Sequence, residues 1–199
     1  MRHLGIMGGT FNPPHNLHLL VAQLAGEQYG MEKVLFIPSG QPPHKKTDLL
    51  PKEVRFELTA AAVQGNKLFE ASRIEIDRPG VTWSIDTLRD LNRLHGPDVR
   101  LNFIIGDDNL PVIRDYEKRD EFLSLARLVV CPRKRVGNKA NIRSWRKVIP
   151  AADMVFVDCP QFPFSSTLVR DWLAQGRDVR YLLPEPVLNI VKTRGYFTK

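Results

Sequence analysis

The segment Gly8-Gly9-Thr10-Phe11-Asn12-Pro13-Pro14-His15-Asn16-Leu17-His18 concentrates residue types that handle anions. Two glycines let the backbone turn sharply and come close to a ligand. Two prolines then fix the chain ahead of a helix. His15 and His18 stand three apart, so in a first helical turn they share a face. On that face the orphan N–H groups and the positive dipole end already favour negative charge. Imidazole donors added there suit a polyphosphate. A tight turn with incidental histidines is the plainer alternative. Two of the chain's five histidines at helix spacing, just after Gly-Gly, weigh against it. The segment is not the dinucleotide fingerprint, because G-x-G-x-x-G does not occur.

Other residues could extend such a site. Lys45, on a Pro-rich loop, is either a phosphate clamp or a solvated lysine, and position alone leaves the two even. Ser165-Ser166-Thr167 precedes an amphipathic helix containing Leu168, Val169, Trp172 and Leu173. The run can serve as an N-cap, as a second anion site with Arg170 one turn inside, or as both. Arg133 to Lys147 is basic, with no acid in it, and holds a single aromatic, Trp145. That is thin for base stacking, so a loop near a phosphate-rich substrate explains it at least as well as nucleic acid. His3, His44 and His95 offer no metal-ligand spacing, and no metal site is expected.

Periodicity supplies the elements that must hold these residues. Apolar β-rich runs at His3–Met7, Lys33–Pro38, Ser72–Ile76, Asn102–Ile105, Leu128–Cys131 and Met154–Val157 alternate with helical patterns. The helical patterns are His15–Tyr29, Glu53–Gln64, Ser84–Leu94, Glu117–Leu125, Ser166–Gln175 and Glu185–Thr193. Strands apolar on both faces, separated by helices, predict an α/β fold: a Rossmann-like doubly wound parallel sheet with helices on both faces. Such sheets bind ligands at the carboxyl ends of their strands. Leu17, Leu20, Val21 and Leu24 fit one apolar stripe, which would turn Leu17 away from a ligand.

Composition bounds the class. A length of 199 residues suits a single domain, 1–199, and 43% hydrophobic with 26% charged residues is ordinary for a globular protein. No apolar run approaches the roughly 18 residues that span a membrane. Met1 to Met7 reads as a strand, not a signal peptide. The net charge of +7 invites a nucleic-acid reading, but outside the basic stretch most basic residues alternate with acids. Cys131 and Cys159 match no zinc motif and read as two thiols in a reducing cytoplasm.

Gly8–His18 resembles the G-G-T-F-[DN]-P-x-H-x-G-H signature of the H-x-G-H nucleotidyltransferase superfamily. Further motifs follow in order: Pro42-Pro43-His44-Lys45, Gly80-Val81-Thr82-Trp83-Ser84-Ile85-Asp86-Thr87, Gly106-Asp107-Asp108 and Ser165-Ser166-Thr167-Leu168-Val169-Arg170. Together, over nearly the whole chain, they resemble the bacterial nicotinate-nucleotide adenylyltransferase family. Three positions depart from that pattern: Leu17 for the motif glycine, Phe164 for an aliphatic residue, and Tyr116 for a ring-stacking tryptophan.

The resemblance implies transfer of the adenylyl group of ATP to nicotinate mononucleotide, giving deamido-NAD and pyrophosphate in NAD biosynthesis. It implies His15 and His18 as the catalytic pair. ATP contacts would come from these two with Gly8, Gly9, Thr10, Phe11, Gly106, Asp108, Ser165, Ser166, Thr167 and Arg170. Asp108 would bind ribose hydroxyls, or else simply cap the next helix. Mononucleotide contacts would come from Lys45, Thr82, Ser84, Tyr116, Glu117 and Arg133. Mg²⁺ is expected to arrive with ATP, since it bridges polyphosphate oxygens and needs few protein carboxylates. The partners implied are ATP and nicotinate mononucleotide, with no nucleic acid and no membrane, in the cytoplasm; a homo-oligomer stays open. The alternatives are a related adenylyltransferase acting on nicotinamide mononucleotide or phosphopantetheine, and a non-catalytic nucleotide binder on the same fold.

Overall fold

A computed structural model describes residues 1–43, 49–132, 139–150, 152–160 and 165–198, with side chains described for all of these except 139–143. Lys45, Arg133 and Phe164 lie outside the described residues, as do residues 133–138 of the basic stretch.

Six strands form one parallel sheet. They are β1 (Arg2–Gly9), β2 (Lys33–Pro38), β3 (Phe69–Ala71), β4 (Val99–Gly106), β5 (Arg127–Cys131) and β6 (Met154–Phe156). Their spatial order is β3-β2-β1-β4-β5-β6. The chain thus winds outward from β1 in one direction, then from β4 in the other. Strand order reverses between β1 and β4, and a doubly wound sheet opens its ligand crevice at that point. The register pairs Ile6 with Leu35 on one side and with Phe103 on the other.

The helices are α1 (Asn16–Gln28), α2 (Lys52–Val63), α3 (Ser84–His95), α4 (Leu110–Arg114), α5 (Arg119–Leu125), α6 (Lys139–Val148), α7 (Ser166–Ala174) and α8 (Glu185–Thr193). Strand residues alternate between the two faces, as the pleat requires. Leu35 and Ile37 pack with Ile85, Leu88 and Leu91 of α3 and Phe122 of α5. Val34 and Phe36 pack on the other face with Val21, Ala22 and Ala25 of α1. A third cluster joins α2 to α7 and α8 through Leu58, Val169, Leu173, Val187 and Val191. It sets the start of α7 beside the loop after β1. The expected Rossmann-like sheet with helices on both faces is the fold observed.

One strand is misplaced by the sequence reading. Ser72–Ile76 alternates polar and apolar residues, yet it is not a strand; β3 lies before it, at Phe69–Ala71. The Ser72 hydroxyl accepts from the Ile74 N–H, and the Asp77 N–H donates to the Arg73 carbonyl at 2.9 Å. The Arg73–Asp77 ion pair, four residues apart, closes the same turn. Serine-to-backbone bonding of this kind competes with a strand ladder. Helix α5 also starts later than the pattern suggested, at Arg119 in place of Glu117, and α4 and α6 were not anticipated. The apolar stripe of α1 is corrected too: its buried residues are Val21, Ala22, Ala25 and Gly26.

The loops on the ligand side are held by Arg55 of α2, which is 2% exposed. Its Nη1 donates to the Thr10 carbonyl at 2.9 Å, its Nη2 to the Gly40 carbonyl at 2.9 Å, and its Nε to the Leu50 carbonyl at 3.0 Å. One guanidinium thereby joins the loop after β1, the loop after β2 and the entry to α2. Burial lowers the Arg55 pKa, and the Glu75 carboxylate opposes this. Gly40 adds a steric constraint, because a Cβ there would come within 2.1 Å of the Glu75 carbonyl oxygen.

Replacing Arg55 should be among the costliest changes outside the apolar core. Arg55→Leu strands three carbonyls, each worth about 1–3 kcal/mol when buried unpaired. The expected loss is about 3 kcal/mol or more, a fall in Tm on the order of 10 °C by calorimetry. Arg55→Lys should recover little, because an ammonium lacks the planar fork. A near-native Tm for Arg55→Leu would refute this role.

Candidate active site

The switch point opens into a cavity of about 900 Å³. Its walls come from the carboxyl ends of β1, β4 and β5 and the loops after them, the start of α3, and the start of α7. That volume lies in the range of small-molecule sites.

Strand β1 delivers Gly8 and Gly9 to the cavity. Phe11, at φ +47°, then reverses the chain and buries its ring against Phe36 and the His18 ring. The strain of a left-handed phenylalanine is offset by that packing. His15 caps α1 and His18 is its third residue. The His15 N–H donates to His18 Nδ1 at 3.1 Å. Accepting at Nδ1 leaves the neutral ring's proton on Nε2, so His18 presents a donor at its far edge. The two rings stack 3.6 Å apart with 13° between their planes. His15 is buried, His18 half-buried, and both line the cavity.

A second helix start faces the same space. Ser165 caps α7, its hydroxyl accepting from the Leu168 N–H at 3.3 Å. The Ser166 hydroxyl donates to the Pro13 carbonyl at 2.8 Å. Arg170 donates to the Asn12 carbonyl at 3.0 Å and to the Thr167 hydroxyl at 3.4 Å. Capping and cavity-facing geometry thus coexist at Ser165–Thr167. The loop after β1 and the start of α7 form one hydrogen-bonded unit that sets both helix starts on one cavity.

The far wall comes from α3 and the segment before it. Thr82 is buried, and its N–H donates to the Gln41 carbonyl at 3.0 Å. The Thr82 hydroxyl makes no hydrogen bond within the described residues, although it lines the cavity. Ser84 is the first residue of α3, where the geometry leaves its N–H without an intrahelical acceptor. Glu75, buried, accepts from the Thr87 hydroxyl at 2.7 Å, which in turn accepts from Arg78 at 2.9 Å. Tyr116 lines the cavity and meets Phe122 edge to face. Burial raises its phenol pKa, and Asp86 adds to the rise. Arg89 bonds both Asp86 and Glu121, tying α3 to α5 behind that ring.

Gly106 and Asp108, at the 3₁₀ turn after β4, also line the cavity. Of the candidate site residues that are described, only Glu117 is absent from the wall; its side chain is exposed. Residues that the sequence did not single out also reach the wall: Glu75, Trp83, Asn109, and the thiols Cys131 and Cys159. Burial pushes the Cys159 thiol up, a hydrogen bond with Cys131 lowers it, and Asp158 raises it. Leu17 departs from its expected role. It lines the cavity while packing on the α1-side core, so it does not turn away from the ligand space. Among the described residues no group of three or more His, Cys, Asp or Glu could hold a metal ion. Among them also no helix is long and apolar enough to cross a membrane.

A doubly wound sheet with a histidine-bearing helix start and a second helix start converging on its switch point is the architecture of a nucleotidyltransferase. Residues 6–171 match the cytidylyltransferase-like family. A protein of Thermoanaerobacter sp. (strain X514) named "Probable nicotinate-nucleotide adenylyltransferase" is 37% identical, over 98% of this chain and 94% of its own. A protein of the same name from Streptococcus pneumoniae serotype 4 is 34% identical, over 98% and 89%. The solved structure of the Plasmodium falciparum nicotinic acid mononucleotide adenylyltransferase complexed with NaAD superposes with a TM-score of 0.79 at 15% identity, over 99% of this chain and 98% of that one. That likeness shows the fold. The chain belongs to the cytidylyltransferase-like family and, within it, to the nicotinate-nucleotide adenylyltransferases.

Leu17 gives a test of the wall. Leu17→Gly removes partly buried apolar surface and adds backbone freedom to a first helical turn. It should cost about 1–2 kcal/mol, read as a fall in Tm of a few °C. The KM for ATP should stay within about threefold of wild type, since the neighbouring histidines keep their cap. A tenfold fall in that KM would mean that the leucine crowds the nucleotide.

Proposed function

We propose that this protein transfers the adenylyl group of ATP to nicotinate mononucleotide, releasing pyrophosphate and forming deamido-NAD. The observation that carries this reading is the stacked His15–His18 pair at the start of α1, facing the same cavity as the start of α7. The family membership supports it independently.

The reaction is an in-line displacement. An oxygen of the acceptor phosphate attacks the α-phosphorus of ATP, and the bond to the bridging oxygen of pyrophosphate breaks. The acceptor is already an anion, so no strong base is needed. The barrier lies in bringing anions together, and positioning with charge neutralisation lowers it. His18 Nε2–H donates to the phosphates, gaining strength as charge builds on the leaving pyrophosphate. His15 stacks beneath it and fixes its orientation. The N–H groups at the start of α7, with Arg170, hold the same polyphosphate from the other side. Gly8, Gly9, Thr10 and Phe11 shape the floor, and Gly106 and Asp108 meet the ATP ribose. ATP enters as its Mg²⁺ complex, the ion belonging to the substrate. Lys45 and Arg133 complete the acceptor's phosphate contacts in this reading, with Thr82, Ser84, Tyr116 and Glu117 at its ring end.

His18→Ala separates chemistry from folding. It should lower kcat about 10²-fold or more, as loss of a transition-state donor does. Loss of the cap bond should cost only about 1 kcal/mol, a few °C in Tm. A folded variant with near-normal turnover would remove His18 from the mechanism.

Acceptor choice tests the ring end. Nicotinate and nicotinamide mononucleotide differ by a carboxylate against an amide, and the amide's NH₂ cannot accept a hydrogen bond. The Ser84 N–H, at a helix start, favours the carboxylate. With the Glu117 side chain off the cavity wall, the expectation is built on this single donor. The amide's carbonyl oxygen can accept from that one N–H too, so the preference rests on the carboxylate's negative charge at the start of α3, worth about 0.3–1 kcal/mol, and nicotinate mononucleotide should be preferred a few-fold in kcat/KM. Equal values for the two acceptors, or a preference for the amide, would show that the acceptor is another one.

A further inference from the structure

The cavity wall also carries two thiols that the transfer reaction does not use. Cys131 ends β5, and Cys159 follows the last residue of β6 by three positions. The strands pair Val129 with Val155 and Val130 with Phe156, and the Val157 N–H donates to the Val130 carbonyl. With a side-chain period of two, Val129, Cys131, Val155, Val157 and Cys159 share the α1 side of the sheet, and all five belong to that apolar cluster. Both side chains pack in that one cluster, and the Cys159 Sγ–H donates to the Pro160 carbonyl at 3.3 Å. Cys131 is buried and Cys159 half-buried, and both open onto the cavity. Each is followed by a proline, Pro132 or Pro160, whose fixed φ restricts the exit from its strand.

We propose that Cys131 and Cys159 form a dithiol modification site, which a low-molecular-weight disulfide oxidises to an intramolecular bridge across the ends of β5 and β6. The more accessible Cys159, as thiolate, attacks one sulfur of the small disulfide and expels the first small thiolate. The Cys131 thiolate then attacks the Cys159 sulfur of the mixed disulfide. The Cys131–Cys159 bond forms as the second small thiolate leaves. Two protein thiols are oxidised, one small disulfide is reduced to two thiols, and these take up the two protons released. Burial makes the first attack slow at neutral pH. The second is intramolecular between groups of one packed cluster, so the mixed disulfide does not accumulate. A bridge at this wall restrains the ends of β5 and β6 where they shape the cavity. Its effect on turnover rests on the adenylyl-transfer reading; its formation does not.

The chain holds two cysteines, so an internal disulfide can only be this one. Native protein is incubated with oxidised glutathione, then analysed by thiol titration, intact mass and a non-reducing gel. The expected result is loss of both thiols, a mass lower by two hydrogens with no retained glutathione, and no covalent dimer. Adenylyl transfer should fall at least tenfold in step with thiol loss, and dithiothreitol should restore both. Saturating ATP should slow the closure by filling the cavity. Cys159→Ala should keep its activity through the same treatment. A stable glutathione adduct, a covalent dimer, or two unreacted thiols under conditions that bridge the urea-unfolded chain would overturn the site. Bridging in a protein that shows no transfer even when reduced would instead count against the proposed reaction.

Discussion

A single buried guanidinium sets the geometry of the ligand side. Arg55 satisfies the carbonyls of Thr10, Gly40 and Leu50 with three donors of one planar group. No backbone ladder could join them, because Thr10 follows β1 while Gly40 and Leu50 lie near opposite ends of the connection from β2 to α2. Removing a cation from water is costly, and the fork offsets this through three charge-assisted bonds and the nearby Glu75 charge. The turn after Gly9, the chain after Pro38 and the entry to α2 therefore hold one arrangement. Gly40 sharpens it, since only a residue without Cβ lets that loop lie against the Glu75 carbonyl.

From this frame the two helix starts become interdependent. Arg170 and Ser166 of α7 bond the carbonyls of Asn12 and Pro13, the residues that lead into α1. The C-terminal helices pack on α2, the helix that carries Arg55. Core packing, the buried cation and the loop carbonyls together hold the two helix starts at one cavity. That is preorganisation in the electrostatic sense, with dipoles fixed before a ligand arrives.

Much of this was legible in the sequence because the signals were local. Apolar runs such as Lys33–Pro38 and Leu128–Cys131 are strands buried on both faces, and they read as such. The Gly8–His18 segment carried its own turn and helix-start chemistry. What escaped depended on distant parts meeting. Arg55 sits in the polar-looking run Lys52-Glu53-Val54-Arg55, and nothing nearby announces that carbonyls of two loops will surround it. Glu75 fell unremarked within a run read as a strand, whereas a serine-bonded turn holds that segment and Glu75 is buried. Leu17 fitted a stripe on paper, but the pitch of α1 turns Val21, Ala22 and Ala25 inward and leaves Leu17 at the rim of the core. The thiol pair needed the pairing of β5 with β6, which no spacing of Cys131 and Cys159 reveals.

The cap made by His18 has a thermodynamic corollary. The same ring closes the first turn of α1 through Nδ1 and lines the cavity. A ligand that accepts from Nε2 favours the tautomer that keeps the cap, so occupancy and the integrity of that turn are linked, and each strengthens the other by the same free energy. Part of the binding energy for an anion is then expressed as order in the helix backbone. In hydrogen-exchange terms, amides near the start of α1 would report occupancy even though they never touch the ligand.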